Sequence, residues 1–222
     1  MFSHFSKYTR PEPEKSALIT IDLQNDFVLP GAPAEGEGAA RVAAMTGAMV
    51  QYYRECGLPI VHIVRIYSPE NNAVNVDACR REAIENGLQL VLPGTDGMQP
   101  VSDIIPEGVV ADGELLLTGK PQRISATEHI LYKPRWGSFY ETKLDVMLRE
   151  QGVTTAVIAG TWFANCIRTT IYEATAREYR VVALRDAIAG IHQAGEADLE
   201  KIQCGVCNCA EWRELLSTVT RP

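Results

Sequence analysis

Five short runs of almost unbroken apolar residues constrain this chain more than any other feature: Ser16-Ala-Leu-Ile-Thr-Ile-Asp22, Pro59-Ile-Val-His-Ile-Val64, Glu128-His-Ile-Leu-Tyr-Lys133, Thr154-Thr-Ala-Val-Ile-Ala-Gly160 and Arg180-Val-Val-Ala-Leu-Arg-Asp186. A strand with one wet face alternates apolar and polar residues. Runs without alternation are buried on both faces, as in a parallel sheet covered by helices. Between them lie stretches of helical periodicity. In the longest, residues 39–55, Val42, Met45, Met49, Tyr52 and Tyr53 share one face, and Gly57 stops the helix. Further helices are expected over about 77–86, 139–151, 165–178 and 196–202, with a short strand near Val206 finishing the sheet. Strands alternating with helices predict an α/β fold: a three-layer, doubly wound sheet with right-handed crossovers. Ligands in this class bind beyond the carboxyl ends of the strands, where strand order reverses. Residues 1–15, rich in proline and charge, are expected to form an N-terminal arm, loose or lying on a neighbouring surface. Residues 16–222 are expected to form one domain. The weakly patterned stretch 65–121 reads as loop that carries function.

Composition removes several function classes. The 222 residues carry a net charge of -7 with Lys and Arg scattered, so no basic stripe is available for nucleic acid. The longest apolar runs fall well short of the ~18 residues of a membrane span, and the first residues lack a secretory apolar segment. A cytoplasmic protein acting on a small molecule is expected. Cys56, Cys79, Cys166, Cys204, Cys207 and Cys209 do not make a disulfide scaffold in a chain of this length. Cys204-Gly-Val-Cys207-Asn-Cys209 has the spacing of a zinc or redox pair, but no second Cys pair or nearby His completes four ligands. The tail therefore reads as a short strand with packed thiols, and neither metal nor cofactor is expected.

Three strands end on chemically capable residues: Asp22, Lys133 and, just beyond the fourth run, Cys166. Singly, each has an ordinary reading as a turn cap, a solvated lysine or a buried thiol. Together they project into one crevice. A thiol with pKa ~8.5 is mostly protonated at neutral pH, so nucleophilic use needs a base, a cation or a helix N-terminus beside the sulfur. Here Asp22 supplies the base, Lys133 the cation and the helix starting near Asn165 the dipole. His4, His62, His129 and His192 sit in the arm, in strands or in a late loop, which leaves a carboxylate as the base.

Three stretches resemble the isochorismatase-like cysteine hydrolases, which include nicotinamidases, N-carbamoylsarcosine amidases and ureidoacrylate and biuret hydrolases. They are Ile21-Asp22-Leu-Gln-Asn-Asp26-Phe27, Tyr132-Lys133-Pro-Arg-Trp-Gly-Ser-Phe139 and Ala159-Gly-Thr-Trp-Phe-Ala-Asn-Cys166. Leu184-Arg-Asp-Ala187 fits as well, and the resemblance spans residues ~16 to ~190. It implies a Rossmann-like sheet of six parallel strands and an Asp22-Lys133-Cys166 catalytic triad. It also implies a cis peptide at Trp162-Phe163, an oxyanion hole from the backbone N–H groups of Phe163 and Cys166, and a homo-oligomer, dimer or tetramer. Nicotinamidases carry an Asp-x-His pair and a further His for a metal. Residues 65–72 of this chain have neither, so the resemblance implies no metal here. Isochorismatases cleave an enol ether without the cysteine, so Cys166 points to hydrolysis of a C–N bond.

For the pocket wall the candidates are Phe27, Trp136, Trp162 and Phe163, each of which also has a reading as core packing. Arg65, or Arg80 and Arg81, is available for a substrate carboxylate, the alternative for the last two being a solvated helix face. The expected function is a cysteine-dependent amidohydrolase of a small linear amide or ureido compound. The competing functions are an isochorismatase-type hydrolase of another small substrate, a ligand-binding relative without turnover, and a thiol redox or metal protein using the tail cysteines.

Overall fold

The computed structural model describes residues 2–68 and 75–220. Strand β1 (Ser16–Ile21) is followed by a helical turn α1 (Asn25–Val28), helix α2 (Ala39–Cys56) and strand β2 (Ile60–Val64). Then come α3 (Ala78–Glu85), α4 (Gly113–Leu117), β3 (Gln122–Arg123), β4 (Glu128–Tyr132) and α5 (Leu144–Glu150). Strand β5 (Thr155–Gly160) leads into α6 (Arg168–Ala176), and β6 (Arg180–Ile188), α7 (Gln193–Lys201), β7 (Gly205–Cys207) and α8 (Cys209–Ser217) complete the chain.

The sheet has seven strands in the order β3-β4-β2-β1-β5-β6-β7. Six are parallel, as expected, and the seventh, β3, is a two-residue antiparallel addition to the edge at β4. From β1 the chain winds outward to β2 and β4, then returns to the centre at β5 and winds the other way through β6 and β7. Strand order therefore reverses between β1 and β5, whose register sets Ile21 opposite Gly160. That is where a doubly wound sheet opens its crevice.

Side-chain period 2 sends alternate residues of each apolar run into two different cores. Leu18, Ile60, Ile130, Val157 and Val182 pack on one face with Val42, Met49 and Tyr53 of α2 and Trp212 of α8. Ile19, Ile21, Val61, Ile63 and Ile158 pack on the other with Leu148 of α5 and Ile171 of α6. Helix α8, not expected from apolar pattern, begins at a capping box in which Asn208 and Glu211 satisfy each other's backbone N–H groups.

The N-terminal residues lie against the body of this chain. Phe2 and Phe5 are buried in the first core. Glu12 accepts a hydrogen bond from Thr154 Oγ1, pairs with Arg180 and donates its N–H to Thr155.

Candidate active site

Asp22 follows β1 in a left-handed conformation, φ 53°, a region Asp tolerates better than most L-residues. Its N–H donates to Ile63 O and its carbonyl accepts from Thr161 Oγ1, so both neighbouring strands hold it. Lys133 follows β4, its N–H donating to Val64 O. Its ammonium donates to Asp22 Oδ2 at 2.9 Å and to Cys166 Sγ at 3.2 Å. All three side chains are buried, Lys133 completely. A buried ammonium needs an anion to offset its lost hydration, and Asp22 supplies it. The other carboxylate oxygen, Oδ1, is also buried and has no hydrogen-bond partner among the described residues. It is a free acceptor beside a thiol. Burial first, then the charge of Asp22, pushes the Cys166 thiol up to about 12, against the pull of the Lys133 ammonium. The resting sulfur is therefore protonated at neutral pH, with a cation and an acceptor next to it.

The elbow that carries Cys166 starts at Gly160, φ 125°. A Cβ there would lie 2.1 Å from Ile21 O, so the approach of β1 to β5 admits only glycine. The cis peptide joins Thr161 to Trp162, one bond earlier than the Trp162-Phe163 position expected. The next turn, Phe163–Ile167, is a π turn rather than the start of an α-helix. Trp162 O accepts from Ile167 N–H, and α6 continues from Arg168. Cys166 thus sits just ahead of the N-terminus of α6.

The elbow corrects both roles expected of Phe163. Its N–H donates to Ala189 O at 2.9 Å and is not available to an oxyanion. Its ring is buried away from the cavity, edge-on to His192, where a Cβ on Gly195 would meet it at 2.3 Å. It is core. The N–H of Trp162, directly after the cis bond, donates no hydrogen bond among the described residues. The N–H of Cys166, the second donor expected, bonds Oδ1 of adjacent Asn165 at 2.7 Å.

Phe27, Arg65, Trp136 and Trp162, all expected at the pocket, line a narrow cleft with Asp22 and Cys166. The cleft is small, with a cavity volume of about 20 Å³, so its occupant is thin. Arg65, 1% exposed, is committed to structure. Its Nη1 donates to Lys133 O, and its Nη2 to Asn75 O and Asp77 Oδ2. It therefore ties the lysine strand to the segment before α3. The sequence reading missed Tyr67, Asp77, Thr161 and Asn165 as cleft residues. Asp77, directly before an amphipathic stretch, was the one with a local signal, since acidic residues favour helix N-caps. Arg80 faces this cleft, whereas Arg81 lines an outer groove that shares Asp77 and Trp136 with it.

Among the described residues, no three His, Cys, Asp or Glu side chains are grouped to hold a metal ion. Of residues 65–72, where the metal motif is missing from the sequence, 69–72 lie outside the described residues. No described helix is long and apolar enough to cross a membrane.

The family model described as "Isochorismatase domain" matches residues 16–211. The chain belongs to the isochorismatase family. It is similar to a probable inactive nicotinamidase of Arabidopsis thaliana, 28% identical and aligned over 91% of this chain and 96% of that one. A ureidoacrylate amidohydrolase of Methylobacterium radiotolerans is 28% identical, covering 86% of this chain and 72% of its own. Among solved structures, an isochorismatase family protein from Desulfovibrio vulgaris superposes with a TM-score of 0.76 at 29% identity, covering 91% of this chain and 98% of that one. This isochorismatase-family hydrolase thus shares its overall α/β fold with that structure.

Proposed function

We propose that this family member is a cysteine-dependent amidohydrolase that cleaves the C–N bond of a small linear amide or ureido compound through a thioester on Cys166. One observation carries the reading: a buried ammonium, Lys133, bridges a carboxylate and a thiol at 2.9 and 3.2 Å, beside an otherwise unpartnered carboxylate oxygen. A neutral buried thiol needs its base at hand, and among the described residues Asp22 Oδ1 has no competing donor.

As the sulfur attacks the carbonyl carbon, the thiol proton passes to Asp22 and the C=O electron pair moves to oxygen. Backbone N–H groups of Trp162 and Cys166 receive the oxyanion, the latter by exchanging its bond to Asn165. Collapse breaks the C–N bond while the Asp22 carboxyl returns its proton to the leaving nitrogen, releasing ammonia or an amine. Water then attacks the thioester and gives a proton to Asp22. Breakage of the C–S bond liberates the acid, and the proton returns to sulfur. Lys133 stays protonated throughout, offsetting the negative charge shared between Asp22 and Cys166.

Ammonia release from a panel of small amides and ureido compounds tests the proposal, with Cys166→Ala as control. Turnover by the parent should fall at least ~10⁴-fold in the variant. Equal rates for the two chains would sink the cysteine mechanism. Because one relative is described as inactive, turnover rather than ligand binding is the deciding measurement.

A further inference from the structure

One of the backbone donors assigned to the oxyanion is already occupied, and its occupant belongs to the site. Asn165 Oδ1 accepts the Cys166 N–H at 2.7 Å, so at rest an amide oxygen stands where a developing oxyanion has to bind. This contact fixes the orientation of the side chain, because with the amide turned over two N–H donors would meet head on. Nδ2 is therefore directed elsewhere, and among the described residues it donates no hydrogen bond. Asn165 is half-buried and lines the cleft beside Asp22, Trp162 and Cys166.

An ordinary helix cap does not account for the contact. A capping Asn accepts from a backbone N–H two or three residues on, as Asn208 does from Glu211. Asn165 reaches only the next residue, inside the π turn that carries Cys166. The Cys166 N–H belongs to the first turn of this segment, where backbone donors depend on side chains or ligands for partners. When a carbonyl oxygen gains charge against that N–H, Asn165 Oδ1 has to leave, since a partly negative oxygen repels an oxyanion. Terminal amide torsions are broad. Half a turn about χ2 exchanges Oδ1 for Nδ2, and a small change in χ1 opens room for an oxygen between the two N–H groups. A donor then stands where an acceptor stood.

We infer that Asn165 is a third oxyanion donor. Its amide oxygen fills the hole at rest and, with the amide turned over, Nδ2–H joins the backbone N–H groups of Trp162 and Cys166 on the oxyanion. Bond making is unchanged: the C–S bond forms, the C=O electron pair moves to oxygen and the thiol proton passes to Asp22. This inference rests on the amidohydrolase reading and adds a catalytic residue to it.

The test compares the parent chain with Asn165→Ala and Asn165→Asp on the best substrate of the amide and ureido panel. Asn165→Ala empties the hole and removes the donor, so kcat should fall at least ~30-fold with KM unchanged or lower, because the donor acts only as the oxyanion forms. Asn165→Asp keeps the shape and the resting acceptor but cannot donate, and should be the slower of the two. A gain in kcat in Asn165→Ala would mean that the side chain only blocks the hole. Equal rates, or a loss confined to KM, would mean that it lines the cleft without acting on the oxyanion. Each of these results overturns the inference and leaves the hydrolase standing. If no amide is turned over, acylation by p-nitrophenyl acetate decides, in a Cys79→Ser background with the thioester mapped by mass spectrometry. In that reaction the C–S bond forms, the C–O bond to p-nitrophenolate breaks and the thiol proton passes to Asp22. Acylation of Cys166 at least ~30-fold slower in both variants supports the donor independently of amide hydrolysis. Acylation of the variants at the parental rate or faster overturns it. A parent chain that neither turns over amides nor acylates at Cys166 has no nucleophile there, and the cysteine mechanism and the inference fall together.

Discussion

Four buried thiols occupy two regions of this molecule, and the difference between them separates a candidate nucleophile from packing. Cys204, Cys207 and Cys209 surround β7, and Cys166 closes the elbow after β5. In all four, burial is the largest cause raising the thiol above its ordinary range, and Cys166 and Cys207 reach the same value, about 12. Resting acidity therefore does not tell the two regions apart. What does is the surroundings of the sulfur. Cys166 has a hydrogen-bonded ammonium, a carboxylate with a free oxygen and an opening to a cleft. Cys204 Sγ meets the backbone at Gly205 O, 3.7 Å away, and at Ala183, Cys209 lies beside the Asp186 carboxylate, and Cys207 and Cys209 pack into the first core; among the described residues no ammonium hydrogen-bonds any of these three sulfurs. A reactive cysteine can be neutral at rest, provided that its proton has somewhere to go.

Removing the cation breaks this contrast most severely. Lys133→Met leaves the Asp22 carboxylate buried without its partner, a change that costs about 3–5 kcal/mol in comparable buried pairs. It should also lower turnover at least ~100-fold. Urea unfolding and ammonia release measure the two effects. A variant as stable as the parent would mean that Asp22 and Lys133 are not a buried ion pair.

Much of this site was legible because a parallel sheet writes it into the chain. Apolar runs that stop at a polar residue mark strand ends, so Asp22 and Lys133 could be placed in one crevice before any packing was known. What escaped depends on contacts remote in sequence or on a shift of one bond. The Phe163 N–H is taken by Ala189 at the end of β6, a partner 26 residues away that no local pattern announces. The π turn and the α-helix expected in its place require the same residue types. Strand β3, Gln122–Arg123, has no apolar signature because it only extends an edge. Helix α8 did have a local signal in Asn208-x-x-Glu211, and the apolar Trp212 and Leu216 follow at helical spacing.

Alkylation sharpens the comparison at smaller scale. In a Cys79→Ser background, which removes the exposed thiol, limiting iodoacetamide should label Cys166 at least about tenfold faster than Cys204, Cys207 or Cys209 by peptide mapping. The rate at Cys166 should climb close to tenfold per pH unit from 7 to 10. Below its pKa a thiol gains thiolate in proportion to hydroxide, and the Cys166 value of about 12 lies above that whole range. A free cysteine levels off above ~8.5. Levelling at Cys166 below pH 9 would mean a preformed thiolate and would remove Asp22 as the acceptor of its proton.

The smallest effect concerns the tail. Cys207→Ala deletes one buried sulfur and should cost about 1 kcal/mol near pH 7. The deficit should narrow as pH rises. In the unfolded chain this thiol ionises near its ordinary value, whereas the folded state retains the proton until about 12. Between roughly pH 9 and 12 the folded state therefore holds more protons, and parental stability falls by up to about 1.4 kcal/mol per pH unit from this group. The alanine variant escapes that loss, so the two unfolding free energies should meet near pH 10. A constant deficit from pH 7 to 10 would show that Cys207 is not held neutral by burial. Cys166→Ala should narrow in the same way, since its thiol is raised as far. Stability against pH thus groups the two regions together, and only the rates of alkylation and turnover can divide them.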